Sequence, residues 1–585
     1  MNQDGIFGGL RTWGFLGLGG LALLGFHSTG EQYNRYRQVY GLGVNNIPAQ
    51  ELVFYIWYGL FGAVAVLCLA AAMMRTPLTD RAVEFGERLS TRPLFPFLSI
   101  LTLFLEIICF RLVVLRDTPI ADDEMTYRFI AETLLQGRLA NPAPPEGAFF
   151  INKFVVVSKG LWYGKYPIGH PLLLALGEAV GLRVLVSPIM AALTAYITYR
   201  IGLKVFSRKV AVLSLLLFNL SPQFIGMGAT DLSQPASALF MMLGVLMMLR
   251  LEEEKRLVWA LLAGGAFGFL LLVRPFPGIL LIPVVGGALV FSSRFSDTKD
   301  KTRAILGVGV PVLLGLVVLF LINKALTGDA TQTSYHAAHA ADKHGVGGLG
   351  LFNPHRGIIA TSLLGGTLRL NFWLLGWPVS FLGLFFIRRR RGLRLLAGLT
   401  VAVFLYRIVV PKTVVSTLGP VYLTEAIPPL LLMISLGICD APSRISAIVA
   451  HARRAVAAVV IASFVAGASC FLPIPVRDVG ASAALRIRIL DRIRGVAGEN
   501  SLVFARYLVD PRLNSTWAPH PRNNSPTLDD SVLFVRPKPG TKGAEENIAF
   551  WRRRFPKRRA FYFGFSKSGV FIKPIRDHRD FAESE

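Results

Sequence analysis

The chain has 585 residues, and its composition excludes an ordinary soluble enzyme: 53% of residues are hydrophobic, 17% are charged and the mean hydropathy is +0.51. Its formal net charge of +26 does not point to nucleic acid, because much of it lies in short basic clusters between apolar stretches, the arrangement that orients membrane helices. Four cysteines, Cys68, Cys109, Cys439 and Cys470, all fall inside apolar stretches and read as small buried hydrophobes rather than disulfide or metal ligands.

Windows long enough to cross ~30 Å of hydrocarbon recur up to residue 472 and then stop. In chain order they cover 12–27, 52–74, 93–115, 183–205, 209–227, 236–250, 257–274, 277–293, 304–323, 368–387, 393–410, 421–439 and 455–472. They predict an all-α polytopic membrane protein of about 13 transmembrane helices, with Pro171 to Gly181 as a partly embedded helix. The first window has a charged neighbour, Arg11, but no small-residue cleavage site, so it reads as a span. Basic clusters at Arg75–Arg92, Arg200–Lys209, Arg250–Arg256, Arg294–Arg303, Arg388–Arg391 and Arg444–Arg454 all fall on one side of these windows. That side is expected to be cytoplasmic. The acidic run Asp122–Glu124, the turn at Asp231, the loop 324–367 and the C-terminal tail are then outward.

The loop after the third window opens with Asp122-Asp123-Glu124-Met125-Thr126-Tyr127. Apolar residues at Met125, Ile130, Leu134 and Leu135 predict a short helix over Glu124–Leu139 lying in the interface. Pro142, Pro144 and Pro145 break it. Phe149, Phe150, Phe154 and Val155–Val157 predict a hairpin or a second surface helix, and the loop closes on Trp162-Tyr163-Gly164-Lys165-Tyr166-Pro167-Ile168-Gly169-His170-Pro171. A loop this long beside a membrane usually carries a site. The tail from Pro473 turns polar and predicts a small extracytoplasmic α/β domain. Its expected elements are a helix at Ala481–Val496, strands near Ser501–Tyr507, Ser531–Arg536, Ala560–Phe565 and Gly569–Pro574, and a helix at Ala544–Arg554. The basic run Arg552–Arg554 and Lys557–Arg559 either meets anionic head groups or is a solvated face.

Four outward features bear chemistry. Asp122, Asp123 and Glu124 repel one another, which raises the pKa of at least one and suits a general base; together they could also hold a divalent cation. The bland reading is a triple acid that stops a helix from sliding into lipid. Lys165 and His170 are candidate phosphate ligands and Tyr166 a sugar-stacking ring, unless the segment is only a rigid turn into the next helix. Asp231 is a second candidate acid or a helix N-cap. Arg274, at the end of a tight hairpin, either pairs with a phosphate or snorkels to head groups. His336, His339, His344 and His355 lack a recognisable metal-ligand pattern. There is no phosphate-cradling Walker loop, nucleophile elbow or zincin motif, and no cofactor is expected beyond a possible divalent metal.

The run Asp123–Tyr127 followed by Ala131–Leu139 resembles the first outward loop of the C-type integral-membrane glycosyltransferases, the group of the protein O-mannosyltransferases and lipid A aminoarabinose transferases. Tyr166–Leu176 resembles the end of that loop, and Gly268–Pro275 resembles a later hairpin. The resemblance covers roughly 93–325 and divides the chain into four parts. Residues 1–92 hold two additional helices, so that two extra spans precede the acidic loop, where the family normally starts with one. Residues 93–325 form the catalytic membrane module with its outward loop 116–170. Residues 326–472 contain the outward loop 326–367 and further helices, and 473–585 form a soluble domain that matches no known member. The resemblance implies a sugar donor carried on a polyprenyl phosphate and inverting transfer to a lipid, glycan or protein acceptor on the extracytoplasmic face. By the same resemblance Asp123 is the base, Asp122 its fallback, and Glu124 orients the acceptor or a metal. Tyr127, Lys165, Tyr166, His170, Asp231 and Arg274 contact substrate. A bacterial inner membrane is expected. The competing readings are a transporter or flippase, favoured by Glu106, Arg111 and Glu178 but opposed by the lack of internal repeats, and a membrane anchor for the tail.

Overall fold

Helix is the only local structure that satisfies its own backbone in lipid, and helices cover the apolar windows. The computed structural model describes residues 13–29, 49–151, 154–295, 297–338, 356–390, 392–409, 415–416, 418–505, 508–510, 515–517, 523–566 and 569–582. Helices α1 (13–29), α2 (Ala49–Met73) and the amphipathic α3 (Leu78–Thr91) lead to α4 (Phe95–Cys109), which runs on through a π-helical turn, Phe110–Val114. The loop that follows holds α5 (Asp122–Leu135), strands β1 (Asn141–Pro142), β2 (Val155–Ser158) and β3 (Leu161–Gly164), and α6 (Gly169–Ala179). Next come α7 (Arg183–Val205), α8 (Arg208–Asn219), α9 (Pro222–Gly228), α10 (Gln234–Glu254), α11 (Leu257–Val273), α12 (Pro275–Val290) and α13 (Thr298–Thr327). Then follow α14 (Ser334–Ala338), α15 (Arg356–Leu375), a 3-10 turn Ser380–Phe386, α16 (Leu393–Val409), the short strands β4 (Val415–Ser416) and β5 (Gly419–Pro420), α17 (Ile427–Ile445) and α18 (Ala452–Ala466).

By length and composition, seven described stretches qualify to cross a membrane, or nine if the bent pairs α8–α9 (67°) and α15 with its 3-10 turn (97°) each count once; α11, α12 and α16 are apolar but shorter. The chain is a multi-pass membrane protein. Its outer faces fit lipid: α4 buries Ser99, Leu103 and Ile107 while exposing Phe97, Leu98, Leu101 and Leu105. This corrects the expectation for the cysteines. All four are free, but only Cys470 is buried, whereas Cys109 and Cys439 are exposed on apolar helices, where facing lipid carries no hydrophobic penalty. The two N-terminal helices form a satellite cluster with α15 and α18, in which Phe26 stacks on Tyr58 at 4.0 Å between centroids and Phe372 and Phe471 close the group.

The acidic loop is folded rather than draped on the interface. Helix α5 ends earlier than expected, at Leu135, because Gly137 takes a left-handed φ of 71°. Its residues Glu124 to Tyr127, Phe129 to Ala131 and Thr133 are buried, so it is packed inside the loop and not laid along lipid. Of the residues expected to form a hairpin or surface helix, Val155–Val157 lie in the first strand of a hairpin whose second strand is Leu161–Gly164, while Phe149 and Phe150 lie in a 3-10 turn, Gly147–Phe150. The three strands pair in the order β1-β3-β2, and the two-residue turn uses Lys159 (φ 50°) and Gly160 (φ 76°), the positive-φ pair that matches strand twist.

The tail elements are α19 (Pro473–Ala497), β6 (Ser501–Ala505), β7 (Leu508–Asp510), β8 (Ser515–Trp517), β9 (Val532–Val535), α20 (Gly540–Arg554), β10 (Arg559–Ser566), β11 (Gly569–Pro574) and α21 (Arg579–Ala582). A mixed sheet runs β11-β10-β6-β9, with β10, β6 and β9 parallel and β11 antiparallel. All five residues of β6 are buried because both faces are covered. Val503 and Ala505 pack with Ile489 and Ile493 of α19, while Leu502 and Phe504 join the large core with Phe149 and Phe550. Helix α19 starts at Pro473, eight residues before the expected Ala481, and continues α18 through a second π turn, so that Ala452–Ala497 is one 46-residue helical stretch.

Helix α17 meets the 3-10 turn through glycine: a Cβ on Gly437 would lie 1.8 Å from the Gly383 carbonyl oxygen. Gly437→Ala is therefore expected to cost roughly 1–3 kcal/mol by forcing the two backbones apart. Thermal unfolding in detergent should show a clear drop in Tm. Gly309→Ala on α13, where a Cβ meets nothing within 4 Å, should leave Tm unchanged.

Candidate active site

The site begins with a buried charge cluster. Asp231, in the turn between α9 and α10, is fully buried. Its carboxylate is met by Arg111 from the π turn of α4 at 2.8 Å, by Arg128 from α5 at 2.8 Å and by Arg183 at the start of α7. Asp117 takes the other sides of the same arginines, at 2.6 Å from Arg111 and 2.8 Å from Arg183. Burial alone would raise the Asp231 pKa, but Arg128, Arg111 and Arg183 outweigh it and hold the carboxyl far below its usual range. Asp231 thus ties four segments together rather than capping α10. Of the intramembrane charges that favoured a transporter, two are paired locally: Arg111 with Asp117 and Asp231, and Glu178 with Arg183 at 3.2 Å.

The three adjacent acids at the start of α5 go to three different partners. Glu124 accepts the backbone N–H groups of Ile120 (2.9 Å), Ala121 (3.1 Å) and Asp231 (3.0 Å), so it closes its own helix end and pins it to the Asp231 turn. Burial and the charge of Asp231 push its carboxyl pKa up. Asp122 pairs with Arg486 of α19 at 3.0 Å. Asp123 is partly exposed and accepts a short hydrogen bond from the Tyr166 hydroxyl. Among the described residues, no three His, Cys, Asp or Glu side chains converge as metal ligands. His336 lies on α14, and His339, His344 and His355 lie outside the described residues.

Around Asp123 the loop and the helices build an aromatic chamber. Tyr166 packs on Tyr127 (4.6 Å between centroids) and edge-on to Tyr335 of α14 (5.5 Å). The Tyr127 hydroxyl donates to Ser233 at 2.9 Å, and burial raises the pKa of both Tyr127 and Tyr166. The Lys165 ammonium sits 4.1 Å from the Phe154 ring centroid and 5.4 Å from those of Tyr166 and Tyr335. Gly169 lets this segment touch the next hairpin, since a Cβ there would lie 2.6 Å from the Leu272 carbonyl carbon. That contact brings Arg274 close. Arg274, between α11 and α12, lies within 5.9 Å of the Tyr406 and Tyr422 ring centroids and 3.2 Å from Glu425, and its charge acts on Tyr127 and Tyr335. A small, mostly apolar cleft adjoins Tyr166 between Leu272, Pro275 and Phe276 and the α13 residues Leu319, Ile322 and Leu326.

His170 is placed differently from the expectation of a phosphate ligand. It is fully buried, its Nε2–H donates to the Asp231 carbonyl at 2.8 Å, and Tyr127 stands edge-on at 5.1 Å. Sequence reasoning missed Arg128, Arg183, Glu425 and Arg486. The only signal for Glu425 was a lone acid inside an apolar window.

Comparison with known proteins adds one match in sequence. Residues 168–325 match the family model described as Dolichyl-phosphate-mannose-protein mannosyltransferase, about a quarter of the chain. The match includes His170, Asp231 and Arg274, and it bears out the resemblance to the C-type integral-membrane glycosyltransferases first seen in Tyr166–Leu176 and Gly268–Pro275. No curated protein matches the sequence. Among solved structures, ArnT from Cupriavidus metallidurans bound to undecaprenyl phosphate is 12% identical with a TM-score of 0.48, covering 81% of this chain and 93% of that one. The apo form of the same protein is 13% identical with a TM-score of 0.49, covering 80% and 92%. The apo Archaeoglobus fulgidus oligosaccharyltransferase is 11% identical with a TM-score of 0.46, covering 81% and 70%.

Burial drives the His170 pKa from 6.5 down to about 4. Below pH 6.5 the unfolded chain takes up a proton there that the folded chain refuses, so stability falls as pH drops from about 6.5 to about 4. Replacing it, as His170→Gln, should flatten that part of the pH dependence of Tm. An unchanged slope would assign the acid sensitivity to other groups.

Proposed function

We propose that the protein transfers a sugar from a polyprenyl-phosphate donor to a hydroxyl-bearing acceptor, on the membrane face where the acidic loop lies, with Asp123 as the general base. The observation that carries this reading is the placement of Asp123: a partly exposed carboxylate, held by the Tyr166 hydroxyl, at an aromatic chamber that also holds Lys165 and Arg274. The family match over 168–325, whose description names a dolichyl-phosphate sugar, supports a lipid-phosphate donor.

In the proposed reaction the acceptor oxygen attacks the anomeric carbon while Asp123 takes its proton. The bond from that carbon to the phosphate oxygen breaks with inversion, and polyprenyl phosphate leaves. Lys165 and Arg274 stabilise the negative charge that grows on the departing phosphate. The apolar cleft beside Tyr166 suits the first isoprenoid units, and the tyrosines provide faces for a sugar ring. Asp122 and Glu124 support the base by fixing its helix, and Asp231 does so through the arginine cluster. The loop is proposed to face the extracytoplasmic side, opposite the basic clusters, and the membrane to be a bacterial inner membrane. The thirteen apolar windows are proposed as thirteen spans.

Asp123→Asn should lower turnover of a polyprenyl-phosphate sugar by about 10²- to 10⁴-fold, since a positioned base contributes on that order. Tm and detergent behaviour should match wild type, because Asp123 has no part in the buried cluster. Turnover within about twofold of wild type would remove Asp123 from the base role.

A further inference from the structure

The polypeptide after the last membrane helix is joined to the acidic loop at three points. Phe149 of the loop stacks on Phe550 of α20 at 3.9 Å and 14°, and its carbonyl accepts the Arg536 N–H at 2.8 Å. Glu146 accepts from Arg553 at 2.8 Å and from Arg554 at 3.1 Å, so part of the basic run is used inside the molecule instead of facing lipid head groups. The third point lies closest to the chemistry. Arg486, buried on α19, donates to the Asp122 carboxylate at 3.0 Å and to the Ile120 carbonyl at 3.3 Å.

These two acceptors flank the start of α5, one residue before Asp123. A guanidinium gripping both fixes the first turn of the helix and hence the direction of the Asp123 carboxylate. It also neutralises the charge of the adjoining Asp122. Arg486 is itself carried on the helical stretch Ala452–Ala497, whose first part, α18, packs on α2 and α17, so its position is referenced to the bundle and not to a loose tail. We propose that Arg486 is a positioning residue for the reaction, and that the C-terminal segment is a working part of the site through this contact. The catalytic half of the proposal rests on Asp123 being the base; the structural half does not.

The test uses the full chain in nanodiscs, with Arg486→Gln, Arg486→Lys and the uncharged pair Arg486→Met with Asp122→Leu. The pair keeps the test open if a stranded buried charge prevents Arg486→Gln from folding. Hydrogen exchange of peptides spanning 118–127 should rise about tenfold in Arg486→Gln and in the pair, with the β6–β10 region unchanged. It should stay near wild type in Arg486→Lys. With polyprenyl-phosphate sugar as substrate, kcat should fall about 10- to 100-fold at unchanged KM in the Gln variant and be largely restored by Lys. Unchanged exchange at 118–127 would overturn the proposal, as would loosening of the whole tail together with α5, which marks a mere strut. Faster exchange with normal kcat would overturn the positioning role alone. A fully active Asp123→Asn would instead remove the base, leaving the exchange result intact.

Discussion

A carboxylate with no access to water must be matched by cations, and the burial of Asp231 is the constraint on which this structure turns. Three arginines, drawn from the end of α4, from α5 and from the start of α7, are needed to keep it charged, and Asp117 shares them. Leaving any one partner alone in such a place costs several kcal/mol, so the segments cannot separate independently. The cluster thus fixes the acidic helix to the membrane bundle at the level where the apolar windows end. Tyr127 follows through Ser233, and His170 through the Asp231 carbonyl.

With the helix fixed, neighbouring acids of the same chemical type take different work from their surroundings. Glu124 is consumed by backbone N–H groups and Asp122 by Arg486, while Asp123 keeps access to the chamber with one tyrosine as its partner. Arg274 is held by Glu425 between two tyrosine rings, and Lys165 lies against aromatic faces. Both cations are buried among rings in place of water, where a phosphate is held more strongly than at an exposed surface.

Much of this was readable from residues because lipid makes strict demands. The apolar windows, the acidic start of α5, the extended run Val155–Val157 and the tail strands near Ser501, Ser531, Ala560 and Gly569 follow from periodicity and turn chemistry. The partners did not follow. Arg183 looks like an ordinary cation flanking a span, yet it spends its charge on Asp117 and Asp231. Asp231 resembles a helix cap, and His170 resembles a ligand. Arg486 reads as one of several arginines on an amphipathic helix, and its acceptor lies more than 360 residues away. Pairings of that kind are set by tertiary packing, which no local pattern records. The cysteines failed for a related reason: an apolar window tells that a residue avoids water, but not whether it faces protein or lipid.

The central claim is that Asp123, Lys165 and Arg274 border one chamber that receives a lipid phosphate. A cryo-electron microscopy structure of the protein in nanodiscs with added polyprenyl phosphate tests it most directly. The account predicts phosphate density within about 4 Å of the Arg274 or Lys165 side chain, with the first isoprenoid units in the cleft beside Tyr166 and Phe276. Lipid phosphate bound elsewhere, with the Arg274–Glu425 pair and the cleft unchanged, would contradict it.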